Sequence, residues 1–179
     1  MKGIIFTEFM ELVEQEFGLE VLENMLDESG SEGIFTAVGS YDHRELVKMI
    51  VSLSKLTDVP IEALQEVFGK SVFNNLLNTL PNSAGLKKCA NTFQFIRHVE
   101  EYIHLEVKKL YPDAKPPSFV FISETQTEMV FDYHSARCLS HVCLGLIQGC
   151  AQHFNEAVDV EMAPNDGDLS DVRFHLALG

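Results

Sequence analysis

His104 is the residue whose setting most invites chemistry. It lies at the edge of an apolar stripe formed by Phe93, Ile96, Val99, Ile103, Val107 and Leu110, within a stretch whose periodicity predicts a long helix from Thr92 to Tyr111. A rigid helix fixes the direction of an imidazole nitrogen. A neutral imidazole on such an apolar edge is a suitable axial ligand for a haem iron. A partly buried histidine bonded to a carbonyl would leave the same trace in the sequence.

The second place is Tyr133-His134-Ser135-Ala136-Arg137, at the exit of a strand-like run and the start of a helical one. Two hydroxyl groups and a guanidinium fall within five residues. If the segment is extended, Tyr133, Ser135 and Arg137 project to one side. Such donors suit a pair of carboxylates or a phosphate, with the arginine able to engage two oxygens at once. A serine helix cap beside a surface arginine is the plainer alternative.

Other constellations are less complete. Cys138 with His141, and Cys150 with His153, stand three apart on a helical stretch, but no CxxC or HxxxH completes a four-ligand zinc set. Ser135 has His134 and Asp132 nearby, yet neighbours on a strand face opposite ways and GxSxG is missing. Neither a GxGxxG nor a GxxxxGK[ST] phosphate loop occurs.

These residues must be positioned by the elements around them. Helices are predicted over 4–17, 19–27, from Asp42 through Leu53, from Pro60 to a stop at Gly69, and over 70–80 ahead of Pro81. Asp42 and Glu45 make a capping-box pattern, and Thr92 is the expected cap of the long helix. Pro112, Pro116 and Pro117 forbid its continuation. The period then changes to two. SFVFIS and EMVFDY predict a hairpin about ETQT, residues 138–156 a helix, and Val158–Met162 with Asp171–Leu178 a second hairpin about PNDGD. The expected fold class is α+β, with a helical N-terminal part and a C-terminal four-stranded antiparallel sheet with an intervening helix.

The whole chain, residues 1–179, is expected to form one domain. It carries 27 acidic and 13 basic residues, a formal charge of −14. That surface repels nucleic acids and anionic membranes, though it permits an anion in a local basic pocket. No signal peptide or spanning segment is visible, which reads as cytoplasmic, and the four cysteines read as reduced thiols.

Taken together, the helix-borne histidine and the Tyr-x-Ser-x-Arg motif 29 residues beyond it resemble the H-NOX family of haem nitric oxide/oxygen-binding domains. The start MKGIIF, the segments HLEVKKLYPDAKPP and GLIQGCAQHF, and the total length extend the likeness over the whole chain. The stand-alone bacterial members of Vibrio and Shewanella are the most similar in character. The resemblance implies a non-covalent b-type haem with His104 as proximal ligand and Tyr133, Ser135 and Arg137 holding its propionates. It further implies that Pro117 and Ile5 distort the porphyrin, and that Phe9, Leu76, Val142 and Leu146 fall in or near the distal pocket.

Members that bind oxygen stably carry a distal tyrosine where this sequence has Val142. Bound O2 needs a hydrogen-bond donor and NO does not, so an apolar pocket implies a sensor of NO and CO that excludes O2. Some relatives also hold zinc through a cysteine after the arginine motif. Cys138 matches it, but the tail from Val158 to Gly179 has no cysteine and only His175, so the zinc set is expected to be incomplete. No catalytic set is evident, and the chain reads as a sensor rather than an enzyme. Since it ends at residue 179 without an effector domain, output is expected to pass to a separate protein, by resemblance a histidine kinase or a cyclic-di-GMP enzyme. A haem-transport protein without a gas signal is the rival reading, and a peroxide-using haem enzyme the less favoured one, lacking a distal acid–base pair.

Overall fold

The computed structural model describes residues 1–79, 89–112, 114–165 and 167–179. Four helices come first: α1 (Gly3–Phe17), α2 (Leu19–Ser29), α3 (His43–Thr57) and α4 (Ile61–Thr79). Asp42 caps α3 as expected, its carboxylate accepting the Arg44 N–H at 3.0 Å. Gly30 ends α2 in the left-handed conformation, which glycine adopts without a Cβ clash.

Gly69 does not stop α4, which runs on to Thr79. The expected separate helix over 70–80 is therefore the second half of α4. The expected end at Pro81 and most of the polar connection after it lie outside the described residues. Gly69 is needed for contact instead: a Cβ there would stand 2.1 Å from the Val142 carbonyl oxygen of α7 (Ser140–Phe154). Gly145 answers from α7, where a Cβ would stand 2.0 Å from the Glu66 oxygen. The two backbones touch at these glycines, bringing α7 side chains up to α4.

The long helix is divided. Asn91, not Thr92, caps α5 (Thr92–His98), its side chain accepting the Gln94 N–H. A π-helical turn, Val99–Ile103, follows, and then α6 (His104–Leu110). The wide turn inserts one residue into the helical count, so His104 takes the inward direction that an unbroken α-helix would give Ile103. Leu110, placed on the stripe by the sequence, is the last residue of α6 and is 63% exposed.

The sheet has the order β1-β2-β4-β3, all neighbours antiparallel, from β1 (Ser118–Glu124), β2 (Glu128–His134), β3 (Val158–Asn165) and β4 (Asp168–Leu178). Met129, Phe131, Val172, Phe174 and Leu176 are buried on its inner face, where Phe131 and Phe174 stack with centroids 5.2 Å apart. Each such side chain contributes roughly 1.5–3 kcal/mol through burial. Helix α7 supplies two cores from adjacent faces. Cys143 and Ile147 join the sheet cluster, while Val142 and Leu146 pack on the helical cluster that includes Phe6, Phe9, Met25, Leu46 and Phe68. Among the described residues no helix is long and apolar enough to cross a membrane.

Candidate functional site

His104 opens α6 directly after the π turn, and only 9% of it is exposed. Its Nδ1 lies 2.8 Å from Glu100 Oε2. A carboxylate only accepts, so Nδ1 carries the proton and Nε2 keeps its lone pair. Among the described residues nothing engages Nε2. Burial pushes the imidazole below its ordinary value, with the Glu100 hydrogen bond acting in the other direction. The ring is thus a neutral, oriented nitrogen donor, as a metal requires.

Phe119 of β1 meets the His104 ring edge-on at 5.3 Å and also reaches the Tyr133 ring at 6.1 Å. Tyr133 lies opposite Phe119 in the sheet register and is 3% exposed. Burial pushes its phenol above its ordinary value, and a hydrogen bond with Ser135 works against that shift. Pro117 is partly buried just before β1.

The segment after Tyr133 differs from the extended form expected. The strand ends at His134, and the Cys138 N–H donates to the Ser135 carbonyl at 3.2 Å, closing a turn. Ser135 Oγ accepts the Arg137 N–H at 3.3 Å, and Cys138 takes a positive φ of 53°. The turn, rather than strand alternation, therefore sets the direction of Arg137.

Arg137 differs from the chain's other arginines. Arg44 pairs with Asp42, Arg97 with Glu124 and Glu101, and Arg173 with Asp132. Among the described residues Arg137 has no carboxylate partner, although burial already pushes its guanidinium below the ordinary value. Burial lowers the values of the Met1 ammonium and of His43, and the Arg137 charge adds to both shifts. Among the described residues this half-buried cation has no counter-ion, in a chain of charge −14, so the position can accept an anion from outside.

The expected distal residues, and Ile5 with them, belong to the helical core. Phe9 is in the helical core, with its ring 5.2 Å from Phe68, and Ile5, Leu76, Val142 and Leu146 pack on the same cluster. Tyr41 packs there too, but its hydroxyl accepts the Thr36 N–H at 2.9 Å. The donor set fits a haem: one free imidazole nitrogen, apolar side chains, and an unpaired cation with hydroxyl neighbours for carboxylates. Sequence reasoning missed Glu100 and Phe119. The Glu100–His104 spacing of four was the available signal for the first.

Two further features stand apart. A cavity of about 400 Å³ between the end of α2 and α3 is lined by Ser31, Phe35, Tyr41, Glu45 and Lys48, among others, and by none of the candidate residues. Among the described residues no three metal-ligating side chains gather. Cys138 is exposed and Cys143 and Cys150 are buried.

Comparison with known proteins bears on the family and the fold. A family model described as Haem-NO-binding (HNOB) matches residues 2–162. The Fe(II) unliganded H-NOX protein of K. algicida superposes with a TM-score of 0.93 at 33% identity, over 100% of this chain and 97% of that one. The H-NOX of Shewanella woodyi, solved in the Fe(II)CO state bound to IWP-051, is 37% identical with a TM-score of 0.82, over 100% and 95% of the two chains. An S. oneidensis H-NOX in the Fe(II)NO state shares the fold at 24% identity and a TM-score of 0.87, over 100% and 99%. No significant match is found among curated protein sequences. With the family pattern spanning most of its length and the fold matched end to end, this chain belongs to the haem-NO-binding, or H-NOX, family of haem-based gas-sensor domains.

Proposed function

We propose that this protein is a cytoplasmic sensor that binds NO, and also CO, at a ferrous b-type haem, excludes O2, and signals to a separate effector protein. The observations that support this reading are a buried His104 oriented through Nδ1 by Glu100, and a separate apolar cluster on which Ile5, Phe9, Leu76, Val142 and Leu146 pack. The haem supplies an iron that takes a diatomic gas. The protein's part is to hold and choose. His104 gives the axial nitrogen. Tyr133, Ser135 and Arg137 bind the two propionates, with Arg137 contributing charge. Ile5 and Pro117 would press on the porphyrin and distort it.

Selection comes from what Val142 and its neighbours withhold. Bound O2 draws negative charge to its outer atom and needs a donor there, whereas NO on ferrous iron does not. The cluster offers apolar side chains, and the hydroxyl of its tyrosine, Tyr41, accepts the Thr36 N–H and lies 3.3 Å from Thr36 Oγ1, to which it can donate. CO binding follows the relative of S. woodyi solved with that ligand. For the signal, loss of the His104 tether would free α6 to move against the helical half, a two-state element that a partner can read. A histidine kinase or a cyclic-di-GMP enzyme is the proposed partner, met through a basic face suited to the acidic surface.

Replacing His104 tests the assignment. His104→Ala should lose the axial ligand and recover it with added imidazole. Haem spectra identical to the wild type without imidazole would refute the reading. Haem that passes to an acceptor within seconds from the wild type would instead favour haem transport.

A further inference from the structure

Glu100 does more in this structure than fill a helix face. It lies in the π turn, four residues before His104, with its side chain 23% exposed. One oxygen, Oε2, accepts two hydrogen bonds: from His104 Nδ1–H at 2.8 Å and from the Phe119 N–H at 3.2 Å. Phe119 belongs to β1, the edge strand of the sheet, and its ring also braces the imidazole from the side. The carboxylate thus ties the π turn, the histidine and the sheet edge at a single atom.

This arrangement has an electronic consequence. A carboxylate accepting the Nδ1 proton raises electron density on the imidazole and makes Nε2 a stronger donor to a metal than a carbonyl partner would. We propose that Glu100 is a positioning residue that sets the strength of the His104–iron bond, and so how readily His104 is released when a gas binds opposite. The proposal rests on the reading of His104 as axial ligand. On release, the iron–nitrogen bond breaks and its electron pair stays on Nε2. The proton remains on Nδ1, so nothing else is transferred. Because Glu100 Oε2 is shared with the Phe119 amide, a displaced His104 pulls on the bond that holds the start of β1. The signal would then reach the sheet edge as well as α6.

The test uses reduced, haem-loaded protein and reads the iron–histidine stretching band by resonance Raman, with the midpoint potential as a second measure. Glu100→Ala should lower the band, raise the potential, and speed haem loss to an acceptor by about 10-fold or more, the scale usual for partners of metal ligands. Glu100→Gln keeps an acceptor but removes the charge, so it should fall between the two. It also carries the test if the alanine variant fails to fold. A wild-type band and potential in the glutamine variant, whatever its melting temperature, would overturn the proposal. His104→Ala separates the two claims. If the band survives that change, the axial assignment has failed. If it vanishes there but is unmoved by either Glu100 variant, only the role of Glu100 has failed.

Discussion

The Phe119 ring stands edge-on to the His104 imidazole, with centroids 5.3 Å apart and planes at 70°. The same ring reaches Tyr133 across the β1–β2 register. One aromatic side chain therefore joins the two candidate motifs, 29 residues apart in sequence, into a single wall. Phe119→Ala should remove that brace and, since the ring is only partly buried, cost about 1.5–3 kcal/mol of stability. Chemical denaturation of the haem-free protein measures it.

Arg137→Ala should separate haem binding from folding. Because the guanidinium has no carboxylate partner among the described residues, its loss should leave the melting temperature of the haem-free protein unchanged or slightly higher. Haem loss should rise by about 10- to 100-fold, corresponding to roughly 1.5–3 kcal/mol for charged hydrogen bonds. An acceptor-globin assay reads the rate, and an unchanged rate would count against the propionate role.

Val142→Tyr should place a phenol hydroxyl on the apolar cluster and give the reduced protein a stable oxygen complex in air. The extra volume should cost about 1–3 kcal/mol of stability. An oxygen spectrum no different from that of the wild type would show that the donor at this position does not decide selectivity.

Gly145→Ala should be more damaging than a surface change. Its Cβ would meet the Glu66 carbonyl oxygen at 2.0 Å, a backbone atom that cannot swing aside. Overpacking of this kind costs about 1–3 kcal/mol or more, a fall of several degrees in melting temperature for a chain of this size. Calorimetry would detect it.

The thiols should divide by burial. Burial pushes Cys143 and Cys150 up to about 12 from the ordinary value of 9.0, while Cys138 is exposed. Alkylation of native protein near pH 8 should therefore label Cys138 and spare the two buried thiols, as peptide mass analysis would show. Between 9.0 and about 12 the unfolded chain releases thiol protons that the folded one keeps. Stability should consequently fall as pH rises through that window.

Type and spacing single out the candidate residues, although each motif alone also fits a plainer reading, a partly buried histidine or a serine cap beside a surface arginine. His104 on a helical edge, and Tyr133, Ser135 and Arg137 at a strand exit, needed no tertiary information. The sheet was equally plain, since SFVFIS and EMVFDY are rich in aromatic and β-branched residues and flank the polar ETQT. The misreadings share a physical cause. Gly69 looks like a helix stop until α7 is packed against it, because only the close approach of Val142 explains the missing side chain. The π turn at Val99–Ile103 is likewise invisible to a fixed helical period, yet it decides that His104 faces inward. The turn at Ser135 depends on its N–H bond to the Ser170 carbonyl of β4, a contact 35 residues away.

The central claim, a haem held by His104 and tuned for NO over O2, is tested most directly by one absorption experiment. The reduced, haem-loaded protein is scanned under nitrogen, in air, and then with NO. The account predicts no oxygen complex in air, only slow oxidation, followed by a clear spectral change with NO. A stable oxygen-bound spectrum in air, or indifference to NO, would contradict it.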